Sequence, residues 1–218
     1  MARPPNASSI LRNERKNQNS FQPQNPIADG MYLPNHSGVH MGMDIEKKPL
    51  TLIGNARVYR HIRVGAAQWK GGVTAPSEKL IGVAPALCFD KTNDDSAHFG
   101  ILIPYRLAEG TDITINIDWT YEGVQDNGTV CWGVEYINLE TGDTIAGTTA
   151  TIIKTSTGNH PTGTLIRTKF TDKIIGAVAH DGLGMRLYRD ASADTLDTDA
   201  CLLQVHFEFL MDKLGEGL

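Results

Sequence analysis

The chain has 218 residues, 40% hydrophobic and 21% charged, with 22 glycines and 10 prolines, which suits one sizeable domain with an appendage and excludes several large ones. Its formal charge of −5, from 20 basic and 25 acidic residues, lacks the strong positive field of a nucleic-acid wrapper, so no nucleic-acid partner is expected. Three dispersed cysteines, Cys88, Cys131 and Cys201, with no CxxC spacing, exclude a disulfide-stapled miniprotein or a zinc finger as the default reading.

Residues 1–49 hold six of the ten prolines and show no helical or strand period. Such a segment cannot bury a core of its own, and it is expected to be an extended N-terminal arm and linker. Its opening, MARPPNASSILRNERKNQNSF, has no apolar stretch of the secretory kind. In the first 26 residues Arg3, Arg12, Arg15 and Lys16 stand against Glu14 alone, a charge of +3, which leaves −8 on the other 192. Eight Asn or Gln in the same stretch offer donors and acceptors to a neighbour's backbone. Ile10, Leu11, Phe21, Ile27, Tyr32 and Leu33 are spaced as isolated apolar anchors, and Arg12, Arg15 and Lys16 supply charge beside them. These nine residues are the expected partner-binding set.

From residue 50 to 218 the pattern becomes short alternating runs separated by Gly, Asn and Asp, which is an all-β signature. Strands are expected in chain order at 57–64, 79–89 and 98–107. The stretch LIGVAPALCF at 80–89 is about half the roughly 20 residues a membrane span requires, so no membrane partner is expected. Thr111 to Tyr121 alternates Ile113, Ile115, Ile117, Trp119 and Tyr121 against Asp112, Thr114, Asn116, Asp118 and Thr120, predicting one core face and one wet face. Thr129 to Ile137 follows, with Trp132 among its core positions. Asn127-Gly128 suits a tight turn of positive φ, so these two strands are expected to pair as a hairpin. Further strands are expected at 144–154, 164–170, 183–189 and 201–211, while 171–179 reads equally as a short helix or a strand. About nine strands make a two-sheet antiparallel β-sandwich of jelly-roll type the nearest architecture.

The chemistry-bearing spacings GxSxG, GxxxxGK[ST], HExxH and GxGxxG between a strand and a helix are absent; no catalytic residue, cofactor or metal site is expected. His36 and His40 lie in the Gly-containing stretch NHSGVH, where no helix aligns the two rings. The run RDASADTLDTD at 189–199 offers Asp190, Asp194, Asp197 and Asp199 as hard oxygen donors. Calcium could use such a cluster, but its spacing is not that of an EF-hand, and a solvated, turn-capping loop is the better reading; an alternative structural role is an ion pair of Arg186 or Arg189 with one of these carboxylates. His206 and Glu208 read as an exposed pair on a sheet surface. Trp119 and Trp132 read as core, Trp69 as a surface contact, and Cys131 and Cys201 as reduced, packed thiols.

The order ILIPYRLAEGTDITINIDWTY, GTVCWGVEYINLETGD, TIAGTTATI and GLGMRLYRDASADTLDTDACLLQVHFEF, across Phe99 to Gly215, resembles the jelly-roll-like structural domains of tailed-bacteriophage virion proteins. The segment ADGMYLPNHSGVH is similar to linkers that lead an attachment arm into a trimeric body in phage fibre and decoration proteins. The resemblance implies a non-enzymatic virion component, a capsid decoration protein or a head- or tail-fibre protein. It further implies a homotrimer bound to other capsid or tail proteins and assembled in the host bacterial cytoplasm. The alternative is a module that recognises a host-surface glycan, with Trp69, Tyr105 or Tyr188 as stacking platforms.

Overall fold

The computed structural model describes residues 51–54, 56–124 and 127–214 with their side chains, and 30–32 and 39–42 as backbone. The chain divides into two compact units, Met1–Val58 with Met211–Leu218, and Tyr59–Leu210. In the first unit β1 (Gly30–Tyr32), β2 (Val39–Gly42) and β3 (Thr51–Gly54) form an antiparallel sheet in that order, and Thr51 of β3 bridges to Lys213.

The body begins with β4 (Val58–Gly65), β5 (Lys70–Gly71) and β6 (Ser77–Ile81). It continues through β7 (Ala84–Phe89), β8 (Ser96–Leu102), β9 (Thr114–Tyr121), β10 (Thr129–Leu139) and β11 (Ala150–Thr157). The last strands are β12 (Ile166–Lys169), β13 (Gly182–Arg189) and β14 (Ala200–Met211). One sheet has the order β11-β10-β13-β8-β5; the other runs β12-β9-β14-β7-β6, with β4 also paired to β14. Every pairing whose register is resolved is antiparallel. Taken from β7 onward, the two sheets are β7-β14-β9-β12 and β8-β13-β10-β11, the strand order of an eight-stranded jelly roll. The all-β, two-sheet antiparallel sandwich expected from the sequence is the observed fold.

Period-two patterning explains the core. Ile115, Ile117, Trp119 and Tyr121 of β9 face Val130, Trp132, Val134 and Tyr136 of β10, and all eight are buried. Trp132 stands edge-on to Phe89 (centroids 5.2 Å, 87°) and to Trp119 (6.1 Å, 69°), the arrangement that ring quadrupoles favour. Burying each such side chain stabilises the fold by about 1.5–3 kcal/mol.

Several expectations change. β9 and β10 do not form a hairpin; they lie in different sheets, and the chain crosses the sandwich between them. Gly128 is needed for close approach rather than for positive φ, since a Cβ there would collide with the Thr195 carbonyl oxygen. The expected strand at 79–89 folds back on itself at Gly82 (φ 62°), making β6 and β7 a hairpin. Residues 171–179 are irregular apart from a bridge between Ile113 and Ile174, and Gly176 takes φ 70°.

The alternation of β14 slips by one residue at a bulge between Leu202 and Gln204. Val205, Phe207 and Phe209 therefore face the core, while Cys201 pairs with Thr120 on the opposite face. There Cys201 lies in register with Cys88 of β7 and forms a disulfide with it, in a small cluster with Ala86, Ile81 and Leu203. Cys131 alone is a free thiol, and it is buried; the expectation of a reduced thiol holds for it and fails for Cys201. Two cysteines that look isolated 113 positions apart become cross-strand neighbours only when β7 and β14 pair.

Candidate functional site on the outer face of the six-stranded sheet

The face of β9 expected to be wet is instead largely buried. Asp118 is 0% exposed, and Asn116 and Thr120 beside it are also buried. Register places Arg167 of β12 on one side of Asp118 and Gln204 of β14 on the other. Arg167 donates through Nε to Oδ1 (2.6 Å) and through Nη2 to Oδ2 (2.8 Å). Gln204 Nε2 donates to Oδ2 at 2.8 Å, and His206 Nε2 lies 2.8 Å from the same oxygen. Burial alone pushes the Asp118 carboxyl up, but Arg167, Gln204 and His206 outweigh it and hold it below the usual carboxylate range. His206 is thus a buried partner of Asp118 and not half of an exposed pair with Glu208; Glu208 sits instead 3.9 Å from His61 Nδ1. Two acceptors on this face, Asn116 Oδ1 and Thr120 Oγ1, are buried without a hydrogen-bond partner among the described residues.

Further along the same face the sheet opens into a cleft of about 600 Å³. Tyr59 of β4 forms one wall, residues 110–112 and 169–171 form others, and Thr114, Lys173, Glu208 and Leu210 complete the lining. Cross-strand register sets Thr114 opposite Glu208 in this lining, while Asn116, between Lys169 and His206, is not part of it. Lys173 and Asp112 are 3.9 Å apart at the rim, whereas Lys169 has no ion-pair partner among the described residues.

At one end of the sandwich the Asp-rich loop wraps around Arg189, which is 0% exposed. Its Nε and Nη2 donate to the two Asp194 oxygens at 2.5 and 3.1 Å. Nη1 donates to the carbonyls of Phe89 (3.1 Å) and Thr198 (2.8 Å), and Nη2 also to that of Leu196 (2.8 Å). All five guanidinium protons are used. The ion pair between an arginine and this loop, the alternative reading, is present, with Arg189 as the arginine. Arg186 instead pairs with Glu135 (3.2 Å) and stacks on Tyr188. The other loop carboxylates are spent locally: Asp190 caps Ser192, Asp197 holds Lys91, and Asp199 holds Lys79. Among the described residues no group of three His, Cys, Asp or Glu is placed to hold a metal ion.

The anchor candidates Ile10, Leu11, Arg12, Arg15, Lys16, Phe21, Ile27 and Leu33 lie outside the described residues. Tyr32 is described as backbone only, in β1 opposite His40. Trp69 is not a surface contact, because it is buried against Phe99 at 5.4 Å. Tyr105 packs on His180 (5.3 Å). Tyr188 pairs with Gly133, and its ring fills the space a Cβ there would need. The exposed ring beside a cleft is Tyr59, 65% exposed, which sequence reasoning missed. Its only signal was alternation with Ile62 and Val64 in a weak strand.

The fold and this face define the class as a jelly-roll β-sandwich with a polar, partly buried outer sheet. No protein-family model matches the sequence, and no curated protein matches it. Among solved structures, the chain is similar to the CBM36-1 domain of a multidomain xylanase from the hindgut metagenome of Trinervitermes trinervoides. That match has a TM-score of 0.44 and 9% identity, and covers 73% of this chain and 100% of that one. It is also similar to VP2 of the infectious bursal disease virus subviral particle (TM-score 0.31, 11% identity), over 86% of this chain and 47% of that one. A third is a protein of unknown function from Shewanella oneidensis MR-1, with a TM-score of 0.27 and 8% identity over the full length of both chains. Likeness at this level concerns the fold alone, and the functional reading rests on this chain's own residues.

Proposed function

We propose that this chain is a non-enzymatic structural protein of a tailed-bacteriophage virion, a capsid decoration or fibre component. In this reading it is a homotrimer, assembled in the host bacterial cytoplasm and attached to other capsid or tail proteins through its N-terminal arm. The observation that carries the reading is how the body uses its buried charges. Arg189 is paired with Asp194 in the interior, and Asp118, buried beneath the exposed Arg167, is held by hydrogen bonds within the fold, which produces rigidity rather than a group poised to react. The arm supplies the adhesive chemistry: a +3 charge, a run of Asn and Gln, and separated apolar anchors. An extended segment of this kind binds by adding a strand to a sheet edge and seating side chains in pockets. Three copies joined through one body multiply a weak contact through effective concentration. Removing residues 1–26 is expected to leave a folded body that no longer enters particles. Purified virions carrying the truncated protein at normal copy number would overturn the anchoring role.

A further inference from the structure

We infer that the cleft beside Tyr59 is a binding site for a neutral saccharide of two or three rings. This does not rest on the virion reading, and either can fail without the other. The volume, about 600 Å³, falls within the roughly 300–1,000 Å³ of small-molecule sites. The wall and the floor differ in chemistry. The Tyr59 ring, 65% exposed, stands where an apolar ring face of a sugar can lie against it, while its hydroxyl stays wet.

Opposite, the floor carries directional polar groups set by strand register: the Thr114 hydroxyl, the Glu208 carboxylate and the Lys169 ammonium. These supply an acceptor-only group, a donor-only group and a group that does both, which is what a ring bearing several hydroxyls requires.

Charge favours a neutral ligand over an anionic one. Lys169 and Lys173 are balanced by Glu208 and Asp112 in the same lining, and Lys173 is already paired with Asp112.

The test uses the full chain on an immobilised panel of neutral, uronic-acid and sulfated oligosaccharides, with affinities of retained sugars measured by titration calorimetry. The expected result is saturable binding of a neutral oligosaccharide, weakened at least tenfold by Tyr59→Ala and by Lys169→Ala. Both side chains are exposed, so the thermal midpoint should not move. Arg186→Ala, on the other sheet, should bind as the parent does. Absence of binding across the panel would overturn the assignment, as would binding that both substitutions leave unchanged. Retention of sulfated sugars alone, competed by inorganic phosphate, would overturn it too, because lysine charge would then be the whole of the site.

Discussion

Two charged residues, Arg189 and Asp118, are fully buried, and each is the centre of a hydrogen-bonded group. Arg189 joins β13, the end of β7 and the loop 194–198 through five hydrogen bonds. Removing one partner of such a centre leaves the other buried and unpaired, at a cost of about 3–5 kcal/mol. Arg189→Met is therefore expected to lower the urea midpoint by a matching amount, while Arg189→Met with Asp194→Leu should recover part of the loss. A single variant within about 1 kcal/mol of the parent would contradict the role, since surface changes typically stay within about 0.5 kcal/mol. Asp118 gives a pH signature. Its carboxyl is held low despite burial, by Arg167, Gln204 and His206, against an unfolded value of about 3.9. The unfolded chain thus takes up the proton first, so the stabilisation is fully present above the unfolded value and is lost as pH falls through the lower folded one. Urea midpoints measured from pH 6 to pH 3 should fall more steeply for the parent than for Asp118→Asn, and parallel curves would rule this out.

At the scale of elements, alternation marked most of the strands, and the places where it failed share a cause. β9 and β10 are adjacent in sequence with a turn-like Asn127-Gly128 between them, yet they occupy opposite sheets. A local signal reports that a strand ends; it cannot report which strand pairs with it next. In β14 the one-residue bulge at Leu203 reassigns Cys201 from the core face to the outer face, and no periodicity count over 201–211 reveals a bulge. Cys88 and Cys201 then meet across the β7–β14 pair. A covalent link closing a loop of 113 residues contributes about 4–5 kcal/mol through the unfolded state in the chain-entropy account. Thiol titration in denaturant is expected to find one reactive cysteine per chain without reductant and three with it. Three without reductant would refute the bridge. Cys131, whose thiol is pushed up by burial and then by Asp190, should stay unreactive to alkylation until the chain unfolds.

For the molecule as a whole, the class of fold and the choice of Trp119 and Trp132 as core were legible in the sequence. These follow from composition and from period two, which are local properties of the chain. The sequence also offered an arginine pairing as an alternative for the loop 190–199, because an Asp-rich turn next to a strand-borne Arg is itself a short-range pattern. What the tertiary structure alone decided is everything that depends on which strands lie side by side. Asp118 was legible as an outward residue of β9, but its burial depends on Arg167, 49 residues later, and on Gln204 and His206, 86 and 88 residues later. The same holds for the cleft, whose Tyr59, Lys169 and Glu208 come from three strands that only pairing brings onto one face. Strand pairing is a long-range choice made by burial of the whole core, so a site assembled across strands acquires its chemistry only once that core has closed.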